Sequence, residues 1–264
     1  MIEIATVVMV LILFFSGILI STMGAMTGLG GGFLAVPYLI LFWRLDRPDA
    51  VLASLFMIFA NSASGSVAYA RSGLIRWGYA AYLFVPTIPG LIIGYLILTR
   101  MEAALFDLIF AILLLSVTIY IIYRKTKSGD DKEQKGEDEP LWKRLITIPV
   151  AFVAGIISST FGIGGGAIFM PVQVGLLGTE IRKAIATSMF IIAMMAFIRV
   201  FVISPGEIDL LYSLPLALGA LIGGQIGARV VKVIRRSEIL LYLLGIFLVF
   251  TAIYMGSNGL ISLL

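Results

Sequence analysis

The chain has 264 residues, 60% of them hydrophobic and 13% charged, with a net charge of +4 and a mean hydropathy of +1.08. A soluble domain of this length could not hide so much apolar surface, so the composition excludes an ordinary globular protein and points to an all-α polytopic membrane protein. The lack of cysteine and histidine excludes disulfides and thiolate chemistry and removes the commonest metal ligand and proton shuttle.

Ten apolar segments follow one another, at 4–27, 31–43, 49–70, 78–98, 104–123, 145–160, 163–177, 181–203, 210–228 and 238–256. The first starts behind Glu3 with no basic residue ahead of it, which argues against a cleaved signal peptide. It ends at Gly28-Leu29-Gly30-Gly31-Gly32, followed after four apolar residues by Pro37. Glycine costs about 1 kcal/mol per residue in a helix interior, so this run is expected to break the helix and free backbone N–H groups. In a membrane those groups need a partner from the protein, from water or from a ligand. Segment 31–43 is short for a full span and reads as a half-helix or a re-entrant piece, with Pro37 too late for the first turn and placed to kink it. Segment 49–70 carries Ser54, Asn61 and Gly65 at i, i+7 and i+11, on one helix face.

Residues 124–144 form the one clear boundary. Their mixed charges have almost nothing to bury, which predicts a mobile cytoplasmic linker between a first membrane repeat at 1–123 and a second at 145–264.

In the second half, Gly162-Ile163-Gly164-Gly165-Gly166 repeats the glycine run 134 residues later, and Pro171 repeats Pro37. Segment 163–177 repeats the short piece. Ser54-Leu55-Phe56 matches Ser188-Met189-Phe190 at the same offset, and Ile119-Tyr120 matches Ile253-Tyr254. Pro86, Gly90, Gly94 and Arg100 match Pro215, Gly219, Gly223 and Arg229 at an offset of 129. Two halves of about five segments each, an odd number, should be inverted with respect to one another if every segment crosses; if the short segments do not cross, the halves become parallel. Inverted repeats with broken helices are a mark of secondary transporters, with the substrate held near the midplane.

Charge sets the expected orientation. If all ten segments cross, fifteen basic residues fall on one side: Arg71 and Arg76, those of the linker, Arg182 and Lys183, and Arg229, Lys232, Arg235 and Arg236. The other side holds Arg44, Arg47 and Arg100, and the loop 204–209 has no basic residue. The fifteen should face the cytoplasm and both termini the outside of the cell membrane.

Two glycine runs at half-length spacing, each followed by proline in a duplicated membrane protein, resemble the TauE/SafE sulfite exporter family, also called the sulfonate-uptake permease group. The resemblance runs from Gly17 to Tyr254, with a longer and more charged central linker than a minimal family hairpin. It implies a secondary carrier of sulfite, organosulfonates such as sulfoacetate, or related small sulfur-containing or organic anions.

The candidate substrate-binding residues follow from where helix breaks and polar groups fall. Gly28, Gly30, Gly31 and Gly32, with Gly162, Gly164, Gly165 and Gly166, are expected to leave N–H groups at helix N-termini that suit an oxyanion. The alternative is close helix packing, which also favours glycine. Asn61 offers amide donors deep in its segment, or an interhelical hydrogen bond. Ser54 and Ser188 occupy matching positions. Arg199 shares a face with Ser188 and could serve as counter-charge for an anion, or snorkel to the nearby segment end. Gln173 and Gln225 could each line the cavity or bond a neighbouring helix, and the second reading is favoured.

Every Asp and Glu lies in a loop, at a terminus or within about a turn of a segment end. A cation pump or carboxylate proton relay would want one at the midplane. The expectation is therefore a transporter of a small anion in a lipid bilayer, with an anion channel of the same architecture as the alternative. An enzyme is not expected, and neither are a metal, a cofactor or a nucleic-acid partner. The coupling ion, proton or sodium, and assembly into a homo-oligomer stay open.

Overall fold

The computed structural model describes residues 2–127, 141–233 and 238–263. Among them every regular element is a helix, as the composition demands. In chain order these are α1 (Ile2–Thr27), α2 (Gly32–Trp43), α3 (Arg47–Ala70), α4 (Trp77–Phe84), α5 (Thr87–Leu98), α6 (Ala103–Lys127), α7 (Leu141–Phe161), α8 (Gly166–Pro171), α9 (Ile181–Phe197), α10 (Leu210–Val233) and α11 (Glu238–Leu263). π-helical turns extend α8 over Val172–Leu176 and α9 over Ile198–Ile203. The helices reach into the expected linker from both sides, and its residues 128–140 lie outside the described residues.

Among the described residues, Ile4–Thr27, Arg47–Ala70, Ile181–Ile203 and Leu210–Val230 are long and apolar enough to cross a membrane. The 12 residues of α2 rise only about 18 Å, against about 30 Å of hydrocarbon. Segment 78–98, expected as one helix, is instead α4 and α5, bent by 42°. Pro86 gives no N–H to the ladder, and the Thr87 hydroxyl turns back onto the Phe84 carbonyl at 2.6 Å. Pro215, its counterpart in sequence, lies inside an unbroken α10, so a proline at this repeat position does not by itself divide the segment.

The chain forms two compact units, Met1–Leu98 with Gln134–Val233 and Thr99–Glu133 with Ile234–Leu264. Each half thus gives its first four segments to the larger unit and its fifth helix to the smaller.

Within the larger unit one kind of contact occurs twice. Gly90 and Gly94 of α5 lie flat against α7, where a Cβ would run into the carbonyl oxygens of Phe152 and Ile156. Gly219 and Gly223 of α10 lie against α1 in the same way, on the carbonyls of Phe14 and Ile18. The facing helices answer with glycines of their own: Gly155 meets the Thr87 carbonyl and Gly17 that of Leu216. Small residues on both sides let backbones approach closely, the packing that holds helices together in lipid. The first helix of each half thus packs on the fourth segment of the other. The central pair, α3 and α9, runs antiparallel. Phe56 meets Phe201 at 6.0 Å, Phe59 meets Phe197 at 5.7 Å, and Gly65 packs on Met189.

The smaller unit is an antiparallel pair, α6 with α11. Gly259 lies on the Ala104 carbonyl and Gly256 on Ala111, while Phe106 and Phe110 stack at 5.6 Å.

Candidate functional site

The glycine runs adopt the same backbone course. Gly28, Gly30 and Gly31 have φ of 72°, 87° and 88°, and Gly162, Gly164 and Gly165 have 67°, 83° and 73°. These left-handed conformations are open to glycine and costly for other L-residues, so three glycines in each run serve the chain path. The fourth serves contact. A Cβ on Gly32 would fall on the Gly162 carbonyl oxygen, and one on Gly166 on the Gly28 carbonyl oxygen. The two breaks are therefore packed face to face, each closing on the other. Ile58 and Ile192, at matching positions of α3 and α9, flank both Gly30 and Gly164.

Hydrogen bonds fix the breaks. The Gly24 carbonyl accepts the N–H groups of Leu29 and Gly30 at 3.2 and 3.3 Å. The ladder resumes with Leu34 and Ala35 donating to the Gly31 carbonyl, and with Ile168 and Phe169 donating to that of Gly165. The N–H groups of Gly31, Gly32 and Phe33, and of Gly165, Gly166 and Ala167, come ahead of those first bonds. Among the described residues none of these groups donates to a backbone carbonyl outside its own helix, so both half-helices start with open donors on a positive dipole end, the arrangement an oxyanion favours.

Two residues of α3 reach the runs. Ser54 donates to the Gly162 carbonyl and Asn61 to the Gly30 carbonyl, each at 3.0 Å. Their shared face thus bridges both breaks, one from each half. Asn61 commits one amide hydrogen to the protein. Its Oδ1 lies against Gly224 with no hydrogen-bond partner, in a fully buried residue. Gly65, on the same face, packs on Met189.

The structure brings the eight glycines, Ser54 and Asn61 together. Ser188 is engaged elsewhere: Gln173, in the π-helical turn after α8, donates to it at 2.8 Å. Gln225 donates to the Ser64 carbonyl at 2.6 Å, an interhelical bond as expected. Arg199 stands in the π-helical end of α9, only 2% exposed. Its Nε donates to Ser159 at 2.9 Å, its Nη1 donates to Ser204, and the guanidinium stacks 4.5 Å from the centre of the Tyr95 ring.

Ser159, Ser204 and Tyr95 escape a reading of the sequence alone. Ser158-Ser159-Thr160 is a polar triplet just before the second glycine run, and that signal was available. Ser159 and Thr160 tie α7 to the carbonyls of Leu91 and Gly94 on α5, at 2.7 and 3.0 Å. Tyr95 and Ser204 carry no such signal, because only the fold brings them to Arg199.

The family profile described as Sulfite exporter TauE/SafE matches residues 13–255, which takes in both glycine runs and all the helices around them. The chain belongs to the TauE/SafE family. A probable membrane transporter protein of Bacillus subtilis (strain 168), YunE, is 28% identical over 263 residues, 90% of this chain and 96% of its own length. The probable membrane transporter protein MJ0441 of Methanocaldococcus jannaschii is 29% identical over 185 residues, 67% of this chain and 65% of its own. No solved structure matches the chain. The TauE/SafE match covers the same stretch as the sequence resemblance, nearly the whole polypeptide, and the helical fold agrees with a membrane transporter family.

Proposed function

We propose that this chain is a secondary transporter that carries sulfite, an organosulfonate or a related small anion across the cell membrane by alternating access. Its halves are inverted, with both termini outside and the central linker in the cytoplasm. The antiparallel run of the matching helices α3 and α9 supports the inversion, and the excess of basic residues in one set of loops supports the orientation. The substrate binds where the glycine runs meet, on N–H groups at the starts of α2 and α8, with Ser54 and Asn61 bracing the breaks. Rocking of one half against the other would then open the same donors to either side.

The observation that carries this reading is the mutual closure of the two breaks, Gly32 on the Gly162 carbonyl and Gly166 on that of Gly28. One site receives a half-helix start from each half. The test is sulfite flux into proteoliposomes of the purified chain. Saturable uptake that is accelerated by sulfite trapped inside is expected. Flux that rises without saturating and shows no counterflow would make the protein a channel, and no flux of any sulfur anion would refute the reading.

A further inference from the structure

Among the described residues Arg199 is the largest fully buried side chain, and its guanidinium bonds to hydroxyls. A guanidinium cannot shed its proton in a protein interior, so burying one without a paired carboxylate is costly. The surroundings accommodate the charge only in part. Ser159 spends its own hydrogen on the Leu91 carbonyl at 2.7 Å and so can only accept from Arg199. Ser204 accepts from Nη1, which turns its hydrogen away from the guanidinium and leaves it available as a donor. The bonds named engage Nε and Nη1 and leave out Nη2. The Tyr95 ring covers one face of the cation.

Glu207, in the loop between α9 and α10, is linked to Arg199 through Tyr95, whose ring stacks on the guanidinium. Tyr95 holds that carboxylate, with its hydroxyl donating to Oε1 at 3.0 Å. The three residues grade inward, from exposed Glu207 through half-buried Tyr95 to buried Arg199.

We propose that Arg199 is a second anion station, separate from the glycine runs, which takes a small oxyanion on Nη2 and the Ser204 hydroxyl, and that Glu207 is a tethered carboxylate competing with that anion for the guanidinium. The proposal rests on the anion-transport reading and adds a waypoint and a built-in competitor to it. The planar guanidinium suits an oxyanion with two acceptor oxygens better than a spherical halide. Glu207 lowers the occupancy of the station by offering its own charge. Tyr95 acts through Glu207 and is a positioning residue.

The test uses the full-length chain in detergent, titrated calorimetrically with sulfite and, separately, with chloride. Wild type, Glu207→Gln, Tyr95→Phe, the double variant of those two, Arg199→Lys, and Arg199→Lys combined with Glu207→Gln are compared, with melting temperature recorded for each. Glu207→Gln is expected to tighten sulfite binding several-fold. Tyr95→Phe should do the same, and the double variant should gain no more than Glu207→Gln alone. Arg199→Lys keeps a charge, so it should fold, and it should lose the gain from Glu207→Gln when the two are combined. Chloride should bind more weakly than sulfite throughout. Sulfite affinity left unchanged or weakened by Glu207→Gln in a normally melting protein would overturn the second station while leaving the transport reading intact. A wild type that binds no anion at all would overturn both.

Discussion

Gly32 lies against the carbonyl oxygen of Gly162, so close that no side chain fits between them, and the same relation joins Gly166 to Gly28. The contact is backbone to backbone, so no rotamer change can relieve it. Gly32→Ala and Gly166→Ala are each expected to destabilise the protein by about 1–3 kcal/mol, the usual cost of overpacking. Thermal unfolding of the purified protein checks this. Gly78→Ala serves as control, because nothing lies within 4 Å of a Cβ there and, like Gly32 and Gly166, it has no left-handed φ, so the comparison isolates the contact.

Asn61 is predicted to hold the first break shut. Asn61→Ala leaves the buried Gly30 carbonyl without its donor, which costs about 1–3 kcal/mol. Asn61→Asp keeps the shape, yet an ionised carboxylate cannot donate to that carbonyl and sets a negative charge beside the proposed anion site. It is expected to lose sulfite binding more completely than Asn61→Ala does. Calorimetric titration of both variants reads this directly. Equal affinities in the two would mean that the site is indifferent to charge at this position.

Topology offers an independent check. The loops that follow the matching helices α3 and α9 contain exposed Ser72 and exposed Pro205. Because α3 and α9 run antiparallel and the first loop is basic, Ser72→Cys should react with a membrane-impermeant thiol reagent from the cytoplasmic face and Pro205→Cys from the outer face. The native chain has no cysteine to confuse the result. Labelling of both from one face would contradict inverted halves.

The anion-first site predicts a ligand preference as well. With no carboxylate expected at mid-depth, sulfite should raise the melting temperature and sodium chloride at the same ionic strength should not. Stabilisation by sodium with no response to the anion would count against it.

Much of this was legible in the chain. The glycine runs break helices as their composition demanded, and the short segments after them are short helices. Ser54 and Asn61 do share a face, which the seven-residue spacing implied. What spacing could not supply was the object they face: carbonyls of both runs, one from each half of the chain. The offset of the repeat also hid a change of register. Gly28 follows Gly17 by 11 positions, whereas Gly162 follows Gly155 by 7. The difference is about one helical turn, so α1 and α7 present the same glycine contact at different distances from their breaks. A fixed offset of 134 therefore could not align the first helices. The π-helical turns were hidden as well. One follows Pro171, which has no N–H to give, and the other carries Arg199; residue type does not announce the wider turn that aims Gln173 and Arg199 inward.

The most direct measurement of the central claim is sulfite affinity beside melting temperature for Gly31→Ala, Gly165→Ala and Gly94→Ala. The first two change left-handed positions at the heads of the half-helices, and the third changes a packing contact with the Ile156 carbonyl. The account predicts that Gly31→Ala and Gly165→Ala each abolish or sharply weaken binding in protein that still inserts and purifies, while Gly94→Ala lowers stability and keeps affinity. Wild-type affinity in the first two, with only their stability reduced, would make the runs packing elements and place the anion site elsewhere.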